Sequence, residues 1–128
     1  MAIKQKTFII ASGPVIIEHG KVLLDKHGKD TFWKIPGGTV AKAGDSLETI
    51  AKNNVKKELG IGIKIIRPLK PMILWRKNEI VVLIHYLAKR KGKIKPGKHV
   101  REWAWLDIKK LPKNIAPNIM PVLRELGK

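Results

Sequence analysis

The segment from Ser46 to Leu59 constrains the fold more than any other part of the chain, because its apolar residues recur at helical spacing. They form one stripe made of Leu47, Ile50, Ala51 and Val55. Asp45 is predicted to cap this helix, with Glu48 completing a capping box, and Gly60 is predicted to end it in the left-handed conformation. A helix with one apolar stripe must pack that stripe against another element, here a sheet.

Short apolar runs divided by glycines and prolines predict the strands of that sheet. The runs are Thr7 to Ile10, Val15 to Ile17, Val22 to Leu24, Ile61 to Ile66, Met72 to Trp75 and Glu79 to Leu87, with a further short strand carrying Trp103 and Trp105. His19-Gly20 predicts a tight hairpin turn, and Ile80 to Ile84 is expected to be buried on both faces. Pro117 is expected to open a closing helix. Residues 1–128 are therefore predicted to form one α/β domain with a mixed sheet.

Charge is the strongest compositional signal. Lys and Arg number 27 against 10 Asp and Glu, which gives a formal net charge of +17. Lysine-rich proteins from hot environments usually carry matching glutamate, so this imbalance favours a polyanionic partner such as RNA. The absence of cysteine excludes disulfides and cysteine-based zinc sites and suits a cytoplasmic location. The longest apolar run is too short to span a membrane.

Two polar residues interrupt the apolar stripe of the predicted helix. Asn54 and Glu58 lie one turn apart within it, whereas Lys52 and Lys56 point the opposite way. A buried carboxylate costs several kcal/mol unless charge or hydrogen bonds compensate it. Glu58 is therefore expected to have a metal, a cation or backbone donors as its partner. The alternative is that the edge of the stripe is exposed there and Glu58 reaches water.

The order of residues from Gly38 to Ile61 follows a known signature with several replacements. Gly38 opens it, Asp45 stands for the first glutamate after a loop one residue longer, Asn53-Asn54 stand for Arg-Glu, Lys57-Glu58 for Glu-Glu, and Gly60-Ile61 close it. The pattern resembles the Nudix box, and residues 33–38, 105–112 and 116–126 are similar to the family's flanking segments. This resemblance implies an α/β/α sandwich with a mixed β-sheet. It also implies the hydrolysis of a nucleoside diphosphate linked to another moiety.

In the Nudix family, helix carboxylates bind Mg²⁺ or Mn²⁺ around a substrate pyrophosphate. By resemblance, the ligand positions are Asn54, Lys57 and Glu58, with the Gly38 backbone and a late-loop residue, Glu102 or as a second choice His99. Only Glu58 among the helix positions is a carboxylate, and Asn53 replaces the arginine that orients the box glutamates. We therefore expect weak magnesium binding or no cofactor. We also hypothesise that Lys57 pairs with Glu58 or a nearby acid in place of the metal.

Basic residues cluster in two places. The first cluster contains Lys89, Arg90, Lys91, Lys93, Lys95, Lys98 and Arg101, and the second contains Arg67, Lys70, Arg76 and Lys77 beside Trp75. Glycines and prolines break the first cluster, which predicts a projecting loop that either grips a phosphate backbone or is a solvated hairpin tip. Trp75 is a candidate for stacking on a base. His85, near the end of a buried strand, is predicted to be a satisfied core residue.

These observations leave three functions open. The first is a non-catalytic Nudix-fold protein that binds RNA, for instance as a ribosome-associated component. The second is an active hydrolase in which Asp45, Glu48, Glu58 and Glu102 rebuild the metal site. The third is a nucleotide sensor that binds its ligand without hydrolysis. The oligomeric state is left open by the sequence.

Overall fold

A computed structural model of the protein describes residues 7–40, 44 and 46–128. Its strands are β1 (Thr7–Val15), β2 (Ile17–Glu18), β3 (Lys21–His27), β4 (Gly38–Thr39), β5 (Gly62–Pro68), β6 (Met72–Trp75), β7 (Glu79–Lys91) and β8 (Val100–Asp107). The helices are α1 (Leu47–Leu59) and α2 (Ile119–Glu125), and a single 3₁₀ turn follows β8 (Ile108–Lys110). Neither α-helix of this described part has the length and apolar character needed to cross a membrane.

The strands form two sheets. In the five-stranded sheet β1 pairs in parallel with β7 and antiparallel with β4, while β5 and β6 pair with successive parts of the other edge of β7. In the three-stranded sheet β3 lies between β2 and β8, and all pairs are antiparallel. The hairpin between β2 and β3 turns at His19 and Gly20, which have φ angles of 53° and 75°. The predicted mixed sheet and hairpin are both confirmed.

Strand β3 has a helix on each of its faces, because successive side chains of a strand point in opposite directions. Leu23 packs in one cluster with Val55 and Leu59 of α1. Its neighbours Val22 and Leu24 pack on the other side in a cluster with residues of α2. The two helices thus lie on opposite faces of the three-stranded sheet, which confirms the predicted α/β/α layering.

The structure confirms the cap predicted for the C-terminal end of α1, but not the cap predicted for its N-terminal end. The N-cap is Ser46, whose hydroxyl accepts a hydrogen bond from the amide of Thr49 (3.4 Å), so the cap predicted at Asp45 was placed one residue too early. Glu48 consequently does not occupy the position that a capping box requires. At the other end Gly60 has a φ of 69° and its amide donates to the carbonyl of Lys56, as predicted. Asp45 itself lies outside the described residues.

The interior of β7 is less buried than its sequence suggests. Ile80 to Ile84 was expected to be covered on both faces, yet only Val81 of this run is fully buried. The other face belongs to the outer surface of the five-stranded sheet, where Phe8, Ile73 and Trp75 have exposed fractions of 71%, 54% and 70%. The prediction was wrong because neither helix covers this outer face, although the strand is central in its sheet.

The first basic cluster is not a projecting loop. Strand β7 continues through Lys91, so the first three cations of the cluster are strand residues. The loop after β7 folds onto the C-terminal end of α1, where the amide of Lys95 donates to the carbonyl of Leu59 and that of Gly97 to the carbonyl of Glu58, both at 2.7 Å. Carbonyl groups at a helix end have no partner within the helix. The loop supplies those partners and is held close to the domain.

His85 is a core residue, as predicted, and it joins β7 to α2. Its side chain is buried and its Nε2 lies 3.3 Å from Nδ2 of Asn118. Its Nδ1 has no hydrogen-bond partner among the described residues, so the core position is confirmed but the histidine is only partly satisfied. Burial lowers the pKa of His85 to about 4, and the negative charge of Glu125 opposes this effect.

Acid is expected to destabilise the protein through His85. Its pKa in the folded state, about 4, lies below the ordinary histidine value of 6.5. The unfolded chain therefore takes up the proton first, and the stability contributed by neutral His85 is present above pH 6.5 and is lost as the pH falls towards 4. The shift corresponds to about 3 kcal/mol. NMR titration of the His85 ring in the folded protein should show no protonation at pH 6; a midpoint near 6.5 would contradict this assignment. Relative to His85→Gln, the wild type should lose about that amount in the free energy of unfolding between pH 7.5 and pH 4.

Candidate functional site

Glu58 is largely buried on the sheet-facing side of α1. Its side chain is 13% exposed, and its Oε2 accepts a hydrogen bond from the amide of Gly37 at 3.2 Å. Its Oε1 lies 3.6 Å from Nε2 of His27. Burial, reinforced by the nearby charge of Asp25, raises the pKa of Glu58 to about 8. The buried carboxylate expected from the helical stripe is therefore present, with a backbone donor and a histidine as its neighbours.

A second carboxylate lies beside it. Asp25 is completely buried, and neither of its carboxylate oxygens has a hydrogen-bond partner among the described residues. Nε2 of His27 is 3.2 Å from Oδ2 of Asp25. Burial raises the pKa of Asp25, while His27 acts in the opposite sense. One ligand atom from each of Asp25, His27 and Glu58 lies within 4.8 Å of the other two.

The alternation of β3 brings this cluster together. Asp25 and His27 follow Leu23 at intervals of two, so they lie on the face of β3 that packs against α1. Neither residue was predicted to belong to the site, because the predicted strand ended at Leu24, where the apolar run stops. The strand continues because β8 pairs with it as far as His27. Extending the period-two pattern past Leu24 was the signal that could have found them.

The other box residues do not join the cluster. The amide nitrogen of Asn54 donates to the carbonyl of Ile50 at 2.9 Å, and a Cβ atom on Gly38 would lie 2.5 Å from the Asn54 side chain, so Gly38 packs directly on it. Asn53 is exposed on the far side of the helix. Lys57 is also exposed and makes no ion pair with Glu58 within 4.0 Å. The direct pairing of Lys57 with Glu58 that was hypothesised is therefore wrong; the charge of Lys57 acts on Glu58 from a distance.

Glu102 lies away from Glu58. It forms an ion pair with Lys26 at 3.1 Å, and the two are register partners in β3 and β8. Because Lys26 alternates with Asp25 and His27, this ion pair lies on the opposite face of the sheet. The late-loop ligand expected at Glu102 is thus not brought to the helix, and Glu48, the other described acid of the rebuilt site, is exposed.

Two cavities lie near the cluster. The cavity containing Glu58 has a volume of about 400 Å³ and is lined by His27, Asn54, Lys57, Glu58, Gly97, Lys98, His99 and Val100. A narrower cavity of about 280 Å³ lies between the five-stranded sheet and the start of α2, and its lining includes Ser12, Phe32, Lys34, Gly37, Arg76, His85 and Asn118. Gly37 lies between the two cavities. It lines the narrower cavity, and its amide donates a hydrogen bond to Glu58, which lines the wider cavity.

The turn that separates the cavities depends on glycine. A Cβ atom on Gly13 would collide with the carbonyl oxygen of Pro36, and one on Gly37 would lie 2.5 Å from the carbonyl oxygen of Ser12. The backbones of β1 and of the turn at residues 36–38 are therefore so close that no side chain fits between them at Gly13 or Gly37. This contact fixes the Gly37 amide that Glu58 accepts from.

Several of the predicted phosphate-binding cations already have partners within the chain. Arg90 makes two hydrogen bonds to Glu18, at 2.8 and 2.9 Å, and lies over the ring of Trp105, while Arg101 donates to the carbonyl of Asp30. Arg76 lies 3.8 Å from Glu79. The remaining predicted cations have exposed side chains: Lys77, Lys89, Lys91, Lys93, Lys95 and Lys98. In the first cluster the lysines have exposed side chains, whereas Arg90 and Arg101 make hydrogen bonds within the chain.

Comparisons with solved structures show which proteins share this fold. The chain superposes on a MutT Nudix hydrolase from Burkholderia pseudomallei with a TM-score of 0.85 at 21% identity, covering 94% of this chain and 99% of that one. A MutT protein from Methanosarcina mazei Go1 gives a TM-score of 0.83 at 20% identity, covering 98% and 100%. The E. coli ORF135 protein gives 0.79 at 19%, covering 95% and 90%.

At these identities the structural matches show a shared fold. A search of curated proteins gave no significant match. The family model of the Nudix domain matches residues 8–126. Because that match spans nearly the whole sequence, the chain belongs to the Nudix family.

Proposed function

We propose that this Nudix-family chain binds a nucleotide in its two cavities and does not hydrolyse it with magnesium. The observation that carries the proposal is an apolar cleft with convergent polar groups beside a helix that has lost two of its three expected magnesium ligands. Small-molecule sites in proteins are concave, mostly apolar and contain a few placed polar groups. The narrower cavity has this character, and the altered helix positions remove the group that would drive hydrolysis.

The polar groups of the narrower cavity suit a nucleotide. Asn118 offers an amide near the buried His85, and Lys34 and Arg76 add positive charge to the lining. A flat base would meet the apolar side chains of the sheet, and the phosphates would meet the cations. Beyond the Gly37 turn, Lys57 and Lys98 add two further cations in the wider cavity. This distribution supports a ligand with an apolar ring at one end and negative charge at the other.

Magnesium, the ion that the family implies, does not fit the helix positions. It prefers oxygen ligands in near-octahedral geometry. Lys57 has no oxygen, and the Asn54 amide nitrogen is bound to Ile50, which leaves one neutral oxygen beside the single carboxylate of Glu58. Glu102 is engaged by Lys26 on the other face of the sheet. These residues therefore do not support magnesium-dependent hydrolysis, and the contacts favour binding without turnover.

Nucleotide binding is expected to depend on Arg76 and not on its neighbour Lys77. Both are cations of the same segment, but only Arg76 lines the narrower cavity, so the two alanine variants reduce the net charge equally. Loss of a hydrogen bond to a charged group corresponds to about a tenfold loss in affinity. Calorimetry with a panel of nucleoside diphosphates and their conjugates should show this loss for Arg76→Ala and little change for Lys77→Ala. Equal losses of affinity in both variants would indicate that only the overall positive charge of the protein attracts the nucleotide, and would contradict a specific role for Arg76.

The same panel should give phosphate release at background rates in Mg²⁺ or Mn²⁺. Ordinary enzymatic turnover that is abolished by Glu58→Gln would establish the hydrolase alternative and overturn the non-catalytic proposal.

Restoring the two missing carboxylates is expected to restore magnesium binding. The double variant Asn54→Glu with Lys57→Glu places acidic side chains at the family's ligand positions, one turn and one residue from Glu58. Asn53→Glu with Lys56→Glu makes the same chemical changes on the exposed face of α1 and serves as the matched control. Magnesium affinity, measured by calorimetry, should rise by at least about tenfold in the first variant only. A similar rise in both would show that added charge, and not position, is responsible.

RNA is a second candidate ligand, favoured by the net charge of +17 and by the exposed lysines of the first basic cluster. A protein that neutralises phosphates releases counterions, so its affinity falls steeply with salt. A ribosomal RNA would provide such a partner, and its recovery with the protein from a lysate should be sensitive to ribonuclease.

Replacing Lys91, Lys93 and Lys95 together with glutamine should flatten the log–log salt dependence of RNA binding. Each lost phosphate contact changes the slope by about 0.7 for single strands, so a change of about 2 is expected if all three lysines contact phosphate. The triple variant of Lys109, Lys110 and Lys113 removes the same charge elsewhere and should change the slope less. If the two triple variants behave alike, the first cluster does not form the interface.

A further inference from the structure

Asp25 is the polar group in the described structure that most needs a partner. It is completely buried, both of its oxygens lack hydrogen bonds, and it lies beside a second buried carboxylate on Glu58. Two adjacent carboxylates in a low-dielectric setting repel each other and favour the uptake of a cation. A bound cation would therefore stabilise the ionised form of both carboxylates.

The neighbouring lysines do not meet this need. Lys34 extends to Asp30, at 2.9 Å, and Lys26 extends to Glu102, at 3.1 Å. Within the described part of the chain, His27 is the one basic side chain with an ion-pair distance to Asp25 or Glu58 of 4.0 Å or less. A neutral imidazole offers a lone pair and no charge, which is what a metal ion requires of a histidine.

We propose that Asp25, His27 and Glu58 form a binding site for one divalent transition-metal ion, with Zn²⁺ the best match. This inference goes beyond nucleotide binding and does not depend on it. Two of the three ligands come from β3, so the set differs from the helix positions that the box resemblance indicates.

The spacing of the three side chains fits a single ion. Nε2 of His27 lies 3.2 Å from an oxygen of Asp25 and 3.6 Å from an oxygen of Glu58. Ligand atoms bound at about 2.1 Å in tetrahedral geometry are separated by about 3.4 Å. The side chains therefore need only small movements to enclose the ion. Three protein ligands leave a fourth position for water or for a ligand's oxygen.

The chemistry of the ligands selects the class of metal. One imidazole nitrogen with two carboxylate oxygens is a set that Zn²⁺, Co²⁺ and Mn²⁺ accept, whereas Mg²⁺ prefers oxygen alone and sheds its water reluctantly. The order of affinities expected for such a site is Zn²⁺ above Co²⁺ above Mn²⁺. An ion can reach the site from solvent, because His27 and Glu58 both line the wider cavity.

Metal titration of the tag-free, chelator-treated protein tests this proposal without any nucleotide. Calorimetry should show one Zn²⁺ per chain, with Mg²⁺ bound about 100-fold more weakly or not at all. Asp25→Asn and His27→Gln should each weaken Zn²⁺ binding by at least about tenfold. His99→Gln is the matched control, because His99 lines the same cavity but does not belong to the cluster.

Two further measurements separate loss of the site from loss of the fold. Without metal, Asp25→Asn should keep the wild-type circular dichroism and melt at a higher temperature, since it removes a buried charge with little change in shape. Wild-type Co²⁺ absorption should show intense visible bands of a four-coordinate ion that both cluster variants lose. Binding that is unaffected by Asp25→Asn and His27→Gln, or the absence of stoichiometric Zn²⁺ binding, would overturn the proposal whatever the nucleotide experiments show.

Discussion

Helix α1 packs on the face of β3 that carries Leu23, and this contact decides where the polar groups of the protein lie. Val55 and Leu59 of the helix belong to the same apolar cluster as Leu23 of the strand. The same two periodicities that align these side chains also align Glu58 with Asp25 and His27. The apolar core therefore brings the three side chains of the polar cluster together, and the Gly37 amide holds Glu58 by a hydrogen bond.

The cluster sets a chemical limit on what the protein can do. Two carboxylates and an imidazole lie close together, and burial is the main cause that raises the pKa of Glu58 to about 8. Without a cation, burial favours the protonated form of Glu58. A bound divalent ion would allow both carboxylates to ionise and would convert an unfavourable burial into ligand bonds. The charge state of this site thus depends on whether an ion is bound.

Much of the fold follows from local signals, and most of the cluster does not. The helix from 47 to 59, the left-handed Gly60 and the hairpin at His19-Gly20 were predictable because each rests on residues close in sequence. The mixed sheet was predicted from the order of strand and helix signals along the chain. Asp25 and His27 were not found, since a strand that leaves its apolar run is extended by pairing with β8, a partner more than seventy residues away. Which strands pair and which faces are buried depend on tertiary contacts, and a single sequence predicts these contacts only weakly.

The same limit explains the errors at β7 and in the basic segment. An apolar run such as Ile80 to Ile84 predicts burial, yet it does not show which layer covers the strand. Likewise, seven cations in a short segment predict exposure, but they do not reveal that Arg90 is bound to Glu18. Glu58 was the one site residue whose burial could be inferred, because its anomaly lay within a single helix.

The docking of the loop after β7 has a consequence for molecular recognition. Displacing this loop would leave the terminal carbonyls of α1 without the amides of Lys95 and Gly97, at a cost of about 1–3 kcal/mol for each group. The backbone of the loop is therefore held against the helix at Lys95 and Gly97. In the RNA complex proposed above, little ordering entropy of this backbone would be lost on contact.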